Sequence, residues 1–272
     1  MSPLSETATP SANVRMPVLF VAHGAPLVAI EEKRGAPLVA WGRRLPRPRA
    51  VLVLSAHWEA PLSLGSTAEH ASLVYDFGRG LPSSLFAVRW PAPGASSLAA
   101  RVEGLLAHRA PQRTDRGLDH GAWTALMRLF PDAEVPTLQL SVPRTATEEA
   151  LVDLGRELAP LRDEGVLIVG SGNLVHNLST LDVTDTLPAP AWAIAFDEWM
   201  RDRVEAFDLE ALVAWRQRAP HADVAHPTPE HLRPLFVCLG AGAGGDVSWP
   251  LIGFEHGSTS RRSLQLDGPT TP

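Results

Sequence analysis

The sequence predicts an α/β domain: one central, mostly parallel or mixed sheet with helices on both faces. Three observations carry this reading. Short continuous apolar runs rich in Val and Leu recur along the chain, the pattern of strands covered on both sides. Stretches with apolar residues three and four apart alternate with them. The Pro-rich stretches around Pro46 and Pro188 are only loop-length, and no fixed repeat divides the chain. With 272 residues, 45% of them hydrophobic, the chain is long enough for one large core. A single domain is expected over residues 17–272, behind a loose polar tail over 1–16.

Taken in order, residues 17–22 (PVLFVA) form a first strand and 50–56 (AVLVLSA) a second, and both end on a histidine, His23 and His57. Leu98, Val102 and Leu105 mark a helix. Asp119 caps the next, whose apolar stripe is Trp123, Leu126, Met127 and Phe130. A strand over 135–141 leads to a helix marked by Leu151, Leu154, Leu158 and Leu161. The strand over 166–170 runs into Gly170-Ser171-Gly172-Asn173, and Trp192, Phe196 and Trp199 mark a further helix. Thr228 reads as an N-cap with Pro229 at the first helical position and His231 in the first turn. Residues 235–239 read as an apolar strand holding Cys238 in the core. A flexible glycine turn over 240–245 and a last strand over 249–255 complete the pattern. The role of the segment after His256 stays open.

Composition narrows the function. A net charge of −6 argues against a nucleic-acid binder, which needs a basic surface for phosphate. No apolar run approaches the roughly 18–20 residues of a membrane helix, so a soluble protein without membrane attachment is expected. The N-terminus lacks the pattern of a secretion signal, and a lone cysteine permits no internal disulfide, so the cytoplasm is the expected compartment. Monomer and dimer are both compatible with the chain.

Of the ten histidines, several fall just after strand-like runs, where α/β sheets bind ligands. His23 lies in His23-Gly24-Ala25-Pro26 and His57 in Ser55-Ala56-His57-Trp58. His120 follows Asp119, His176 lies between Asn173 and Asn177, and His226 and His231 bracket a Pro-Thr-Pro-Glu segment. Neutral imidazole is the commonest metal-ligating side chain. No H-x-x-x-H pair anchors a site, so spacing alone leaves two readings open: a shared metal, or histidines separately bonded to backbone. His70, His108, His221 and His256 read as surface or core-filling residues. Asn173 and Asn177 can orient a ligand or cap a turn. Trp58 and Trp123 can stack on an aromatic ligand or pack in the core. The glycine run lacks the spacing of a phosphate loop, and Gly170-Ser171-Gly172 misses the hydrolase nucleophile elbow.

Together, His23-Gly24-Ala25-Pro26, Ser55-Ala56-His57-Trp58, Asp119-His120-Gly121-Ala122-Trp123, the 170–178 segment and His226-Pro227-Thr228-Pro229-Glu230-His231 occur in an order that resembles one family over nearly the whole chain. It is the LigB-type (class III) extradiol ring-cleavage dioxygenases, in their 4,5-DOPA extradiol dioxygenase-like branch. The resemblance implies a LigB-like catalytic domain with a metal held by His23, His57 and His231: Fe(II) for activity, Zn(II) as another ion the site accepts. It implies His176 as catalytic base or fourth ligand and His120 as a donor to a substrate oxygen or to O₂. Trp58, Asn173, Asn177 and His226 are then expected around the substrate. The implied reaction cleaves a substituted catechol with O₂ to a ring-opened semialdehyde. After Tyr75-Asp76-Phe77 the chain departs from the branch's aromatic Y-G-F-P turn, and Arg79 in that loop is expected to select a carboxylated substituent. Two other functions use the same residues: a zinc-dependent hydrolase, and a non-catalytic metal-binding interaction protein of the same fold. His176 and His120 together favour an enzyme.

Overall fold

Strand pairing places the carboxyl ends of three apolar runs side by side. The computed structural model describes residues 15–78 and 80–268. Its main sheet contains, in chain order, β1 (Val18–Ala22), β2 (Ala50–Ser55), β3 (Ser63–Gly65), β4 (Gln112–Arg113), β5 (Thr137–Leu140), β6 (Val166–Gly172), β7 (Val247–Leu251) and β8 (Ser263–Leu266). Their spatial order is β4-β3-β5-β2-β6-β1-β8-β7. The central β5-β2-β6-β1 run is parallel. The flanking β3–β5, β1–β8 and β8–β7 pairs are antiparallel, so the sheet is mixed.

Alternation along the strands sorts two cores. Val18 and Phe20 of β1, Leu52 and Leu54 of β2 and Ile168 of β6 face one side. Leu19, Val21, Val51, Val53, Leu167 and Val169 face the other. The first core is covered by α2 (Ser96–Leu105), α4 (Glu148–Leu158), α5 (Ala191–Glu205) and α6 (Arg233–Ala241). The second is covered by α1 (Glu32–Gly42) and α3 (His120–Leu129). Thr147 caps α4 by accepting from the Ala150 amide, and Glu148 and Glu149 in the first turn suit the helix dipole.

The strand expected over 235–239 is a helix. Every residue of α6 is buried, so the run carries no polar face from which a helical period could be read. The helix lies against both α4 and β6. A Cβ on Gly240 would fall 1.9 Å from the Val152 carbonyl oxygen, and one on Gly170 2.5 Å from Cys238 Sγ. Gly240 is therefore a helix–helix contact, and the turn foreseen at 240–245 starts only at the Gly242 C-cap. Cys238 is a buried free thiol, as a core residue should be. The helix also begins later than its sequence cap. Thr228 donates its hydroxyl to Glu230 and caps nothing, Leu232 is the N-cap, and His231 sits in the preceding turn.

The final strand expected over 249–255 divides into β7 and Phe254–Glu255, parted by Gly253 at φ +105°. The tail beyond His256 supplies β8, which inserts antiparallel between β1 and β7. The expected N-terminal tail lies outside the described residues up to residue 14. Met16 is already buried, and its carbonyl accepts from the Arg162 guanidinium. Among the described residues no helix is long and apolar enough to cross a membrane.

Candidate active site

The parallel register Ala22 opposite Gly172 and Ser55 opposite Ser171 makes β1, β2 and β6 end together. His23 lies one residue past β1, its amide donating to the Gly172 carbonyl at 3.1 Å. His57 lies two residues past β2, its amide held by Ser55 Oγ at 3.2 Å. His120 is the first residue of α3, which Asp119 caps by accepting from the Ala122 amide, as the sequence indicated. Gly121 lets that helix press against the other two. A Cβ there would lie 2.6 Å from Ser55 Oγ, 2.8 Å from His57 Cδ2 and 3.3 Å from His23 Cε1. His231 is tied to β6 because its carbonyl accepts from the Asn173 amide at 3.0 Å.

Hydrogen bonding sets the ring orientations of two of these histidines. Ser171 donates its single hydroxyl hydrogen to the Gly121 carbonyl at 2.6 Å, so it can only accept from His23 Nδ1 at 2.9 Å. His23 Nε2 is left as a lone pair, 3.2 Å from His57 Nε2. His231 Nδ1 lies 3.1 Å from Glu230 Oε1, an acceptor, and therefore carries the proton. His231 Nε2 is then a buried lone pair without a hydrogen-bond partner. One ring nitrogen from each of His23, His57 and His231 falls within a 4.8 Å cluster.

All of these rings are held neutral. His23 and His231 are pushed well below the ordinary imidazole range by burial first and by neighbouring imidazoles second. Burial, reinforced by His120, lowers His57 to about 3, and burial lowers His176 to about 4. Convergent neutral imidazoles with a buried, unpartnered nitrogen are a donor set that a divalent cation completes. A carboxylate behind His231 and a hydroxyl behind His23 supply the outer support such ligands need. The residues present fit a metal.

His176 and His120 flank this cluster on different sides. His176 stacks on His231, and its amide donates to the Ala225 carbonyl at 3.0 Å. The His120 ring centroid is 3.9 Å from that of His57. Asp76 Oδ1 accepts from both the His120 amide, at 2.9 Å, and His120 Nδ1, at 2.8 Å. Burial pushes the Asp76 carboxyl up, but the His120 hydrogen bond and charge outweigh it and hold the group below its usual range. The five histidines line one cavity of about 760 Å³.

Other expected site residues lie elsewhere. Trp58 is buried with the Arg116 guanidinium 5.4 Å above its ring. Trp123 is a core residue whose indole donates to the Val74 carbonyl at 3.0 Å. Asn173 Nδ2 donates to the Ser260 carbonyl. Asn177 caps the turn at Leu178–Thr180 and donates to the Val224 carbonyl. His226 donates through Nε2 to the Leu174 carbonyl at 2.8 Å and packs against Phe196 and Trp215. The described cavity lining contains none of Trp58, Asn173, Asn177 or His226. Arg79 lies outside the described residues, although Gly78, Gly80 and Leu81 of its loop do line the cavity. His70, His108 and His221 are exposed, whereas His256, read as surface or core, is a lining residue. Sequence reasoning missed Asp76 and Glu230. Glu230 stands beside His231, but acidic residues beside histidines are too common to signal support for a ring, and Asp76 lies 44 positions from the histidine it holds.

Comparison with known proteins agrees with this architecture. Residues 18–263 match the model of the catalytic LigB subunit of aromatic ring-opening dioxygenase. A 4,5-DOPA dioxygenase extradiol of Escherichia coli K12 is 37% identical, covering 98% of this chain and 100% of its own length. The protein of the same name from Beta vulgaris is 39% identical over 86% of this chain and 89% of its own. The crystal structure of an uncharacterized Escherichia coli K12 protein has a TM-score of 0.79 at 35% identity, covering 93% of this chain and all of that one. Sheet order, clustered histidines and a match over most of the sequence converge: this chain belongs to the LigB family of aromatic ring-opening dioxygenases.

Proposed function

We propose that residues 17–272 act as one catalytic domain, a ferrous extradiol dioxygenase that opens the ring of a substituted catechol with O₂ to give a semialdehyde. The observation that carries this reading is the three-imidazole cluster of His23, His57 and His231, flanked by two further histidines in one cavity. His23, His57 and His231 would hold the metal; the same nitrogens also suit Zn²⁺. Ferrous iron bound there would supply the one-electron chemistry that dioxygen requires and a common anchorage for the two catechol oxygens.

His176 and His120 manage protons. His176 is neutral at pH 7 and can accept the catechol proton. Its burial disfavours the charged ring, so the proton is returned readily to a departing oxygen. Asp76 keeps His120 Nδ1 protonated and its amide fixed, which aims the Nε2 edge of the ring in one direction. His23, His120 and His231 are buried, so polar contacts at their end of the cavity act at a lower local dielectric than in open solvent. The expectation of a carboxylated substrate rests on Arg79 alone.

The test is oxygen consumption by protein reconstituted anaerobically with Fe(II), across a panel of catechols. Uptake of one O₂ per ring opened, with the absorbance of a semialdehyde, is expected. Absence of uptake with Fe(II), together with hydrolytic turnover in the zinc form, would overturn the proposal.

A further inference from the structure

Beyond the histidines, the cavity is walled by apolar side chains. Pro26 and Leu27 follow the His23 turn, Phe77 and Leu81 belong to the 77–81 loop, and Leu178 and Val183 follow His176. Burial grades along the cavity: His23 is 1% and His231 4% exposed, against 67% for Leu178 and 84% for Val183. The histidines are thus the inner end and the apolar residues the mouth. Two large aliphatic side chains facing solvent beside a deep cavity are surface that a ligand can cover.

The charged residues of the described lining are Asp76, Glu230 and Glu255, and each already has protein partners. Asp76 is taken by His120. Glu230 accepts from His231 and Thr228. Glu255 is buried, accepts from the Ala25 amide and pairs with Arg34 and Arg261. His256 Nδ1 is 3.2 Å from the Asp182 carbonyl. The described lining contains no lysine or arginine to meet a carboxylate, and no carboxylate without a partner to meet an ammonium.

Resting on the ring-opening reading above, we infer that this cavity selects catechols bearing an apolar substituent, alkyl or aryl, which lies between Phe77 and Leu81 on one side and Leu178 and Val183 on the other while the diol reaches the histidines. This differs from the carboxylated substrate that Arg79 alone would favour. The energetic lever is removal of apolar surface from water on both sides of the contact, and it grows with substituent length.

The experiment uses the full chain loaded with Fe(II) and a series from catechol through 4-methyl, 4-ethyl, 4-propyl and 4-butylcatechol, with 3,4-dihydroxybenzoate and dopamine as charged probes. Two readouts are taken: affinity by calorimetry under nitrogen, where no turnover occurs, and kcat/KM from oxygen uptake. Each added methylene is expected to raise both by about two- to fourfold, the upper figure corresponding to ~0.8 kcal/mol per buried methylene. The double variant Leu178→Ser, Val183→Ser, at exposed positions where folding is little affected, is expected to flatten the dependence on chain length. Affinity that stays level or falls with length, or a charged probe that binds more tightly than butylcatechol, overturns the inference while leaving ring opening intact. An unaltered slope in the double variant also overturns it. Rising affinity with no oxygen uptake from any catechol supports the apolar subsite and defeats the ring-opening reading instead.

Discussion

The imidazoles of His176 and His231 are stacked face to face, with centroids 3.4 Å apart and planes 12° from parallel. Ring nitrogens present their lone pairs in the ring plane, so a stacked neighbour does not satisfy them. His231 Nε2 accordingly stays unpartnered beside His176. His176 thereby stands beside the cluster, with its ring within reach of His231 and Glu230. His176→Ala is expected to lose about 100-fold or more in turnover, the usual range for a general base, while keeping close to one metal per chain. Elemental analysis beside oxygen-uptake kinetics checks this, and a metal-free variant would make His176 a ligand.

The three clustered histidines carry the opposite signature. His57→Ala and His231→Ala are each expected to abolish stoichiometric metal binding, since two imidazoles hold a divalent ion far less well than three. Equilibrium dialysis followed by elemental analysis measures it. Full metal content in either variant would sink the assignment.

Asp76 offers a separate test of positioning. Asp76→Asn removes the charge that fixes His120 and should lower kcat about 10- to 100-fold, the range seen when outer supporting groups are lost. Metal content should be unchanged, because His120 is outside the His23, His57 and His231 set. An unaltered kcat in Asp76→Asn would show that His120 is positioned by other contacts.

His226 predicts a pH effect on stability. Burial lowers its folded pKa to about 4, against an ordinary value near 6.5. Between these values the unfolded chain binds the extra proton, so stability is fully present above about pH 6.5 and declines as pH falls toward 4. The contribution from this one residue is on the order of 3 kcal/mol. His226→Gln, compared with the parent by urea unfolding at pH 7 and pH 5, should show a smaller loss on acidification. Its KM should match the parent, because His226 packs in the core against Phe196 and Trp215. A raised KM with parental pH dependence would place the ring at the substrate.

The chain alone determined which segments become the central strands, because residues 17–22, 50–54 and 166–170 are apolar without interruption and such runs are buried wherever they pack. It also marked His23, His57, His120, His176 and His231 through local motifs, since turn glycines, prolines and caps act over a few residues. Tertiary structure decided what no local pattern encodes. Residues 235–239 gave no helical period to read because the segment is buried on all sides; in the fold they are helix, with Val237 and Cys238 packed against Gly155 and Gly170. The polar-looking 263–266 segment became an interior strand because β1 presented an unpaired edge. The pairing of Asp76 with His120 spans 44 positions in sequence, and that of Ser171 with His23 spans 148. Trp58, Asn173, Asn177 and His226 sit inside the telling motifs, yet their side chains turn toward core or backbone partners. A motif records that residues are neighbours along the chain; which of them face the cavity depends on side-chain direction, and that is settled only when the sheet, α3 and the His231 turn close around the same space.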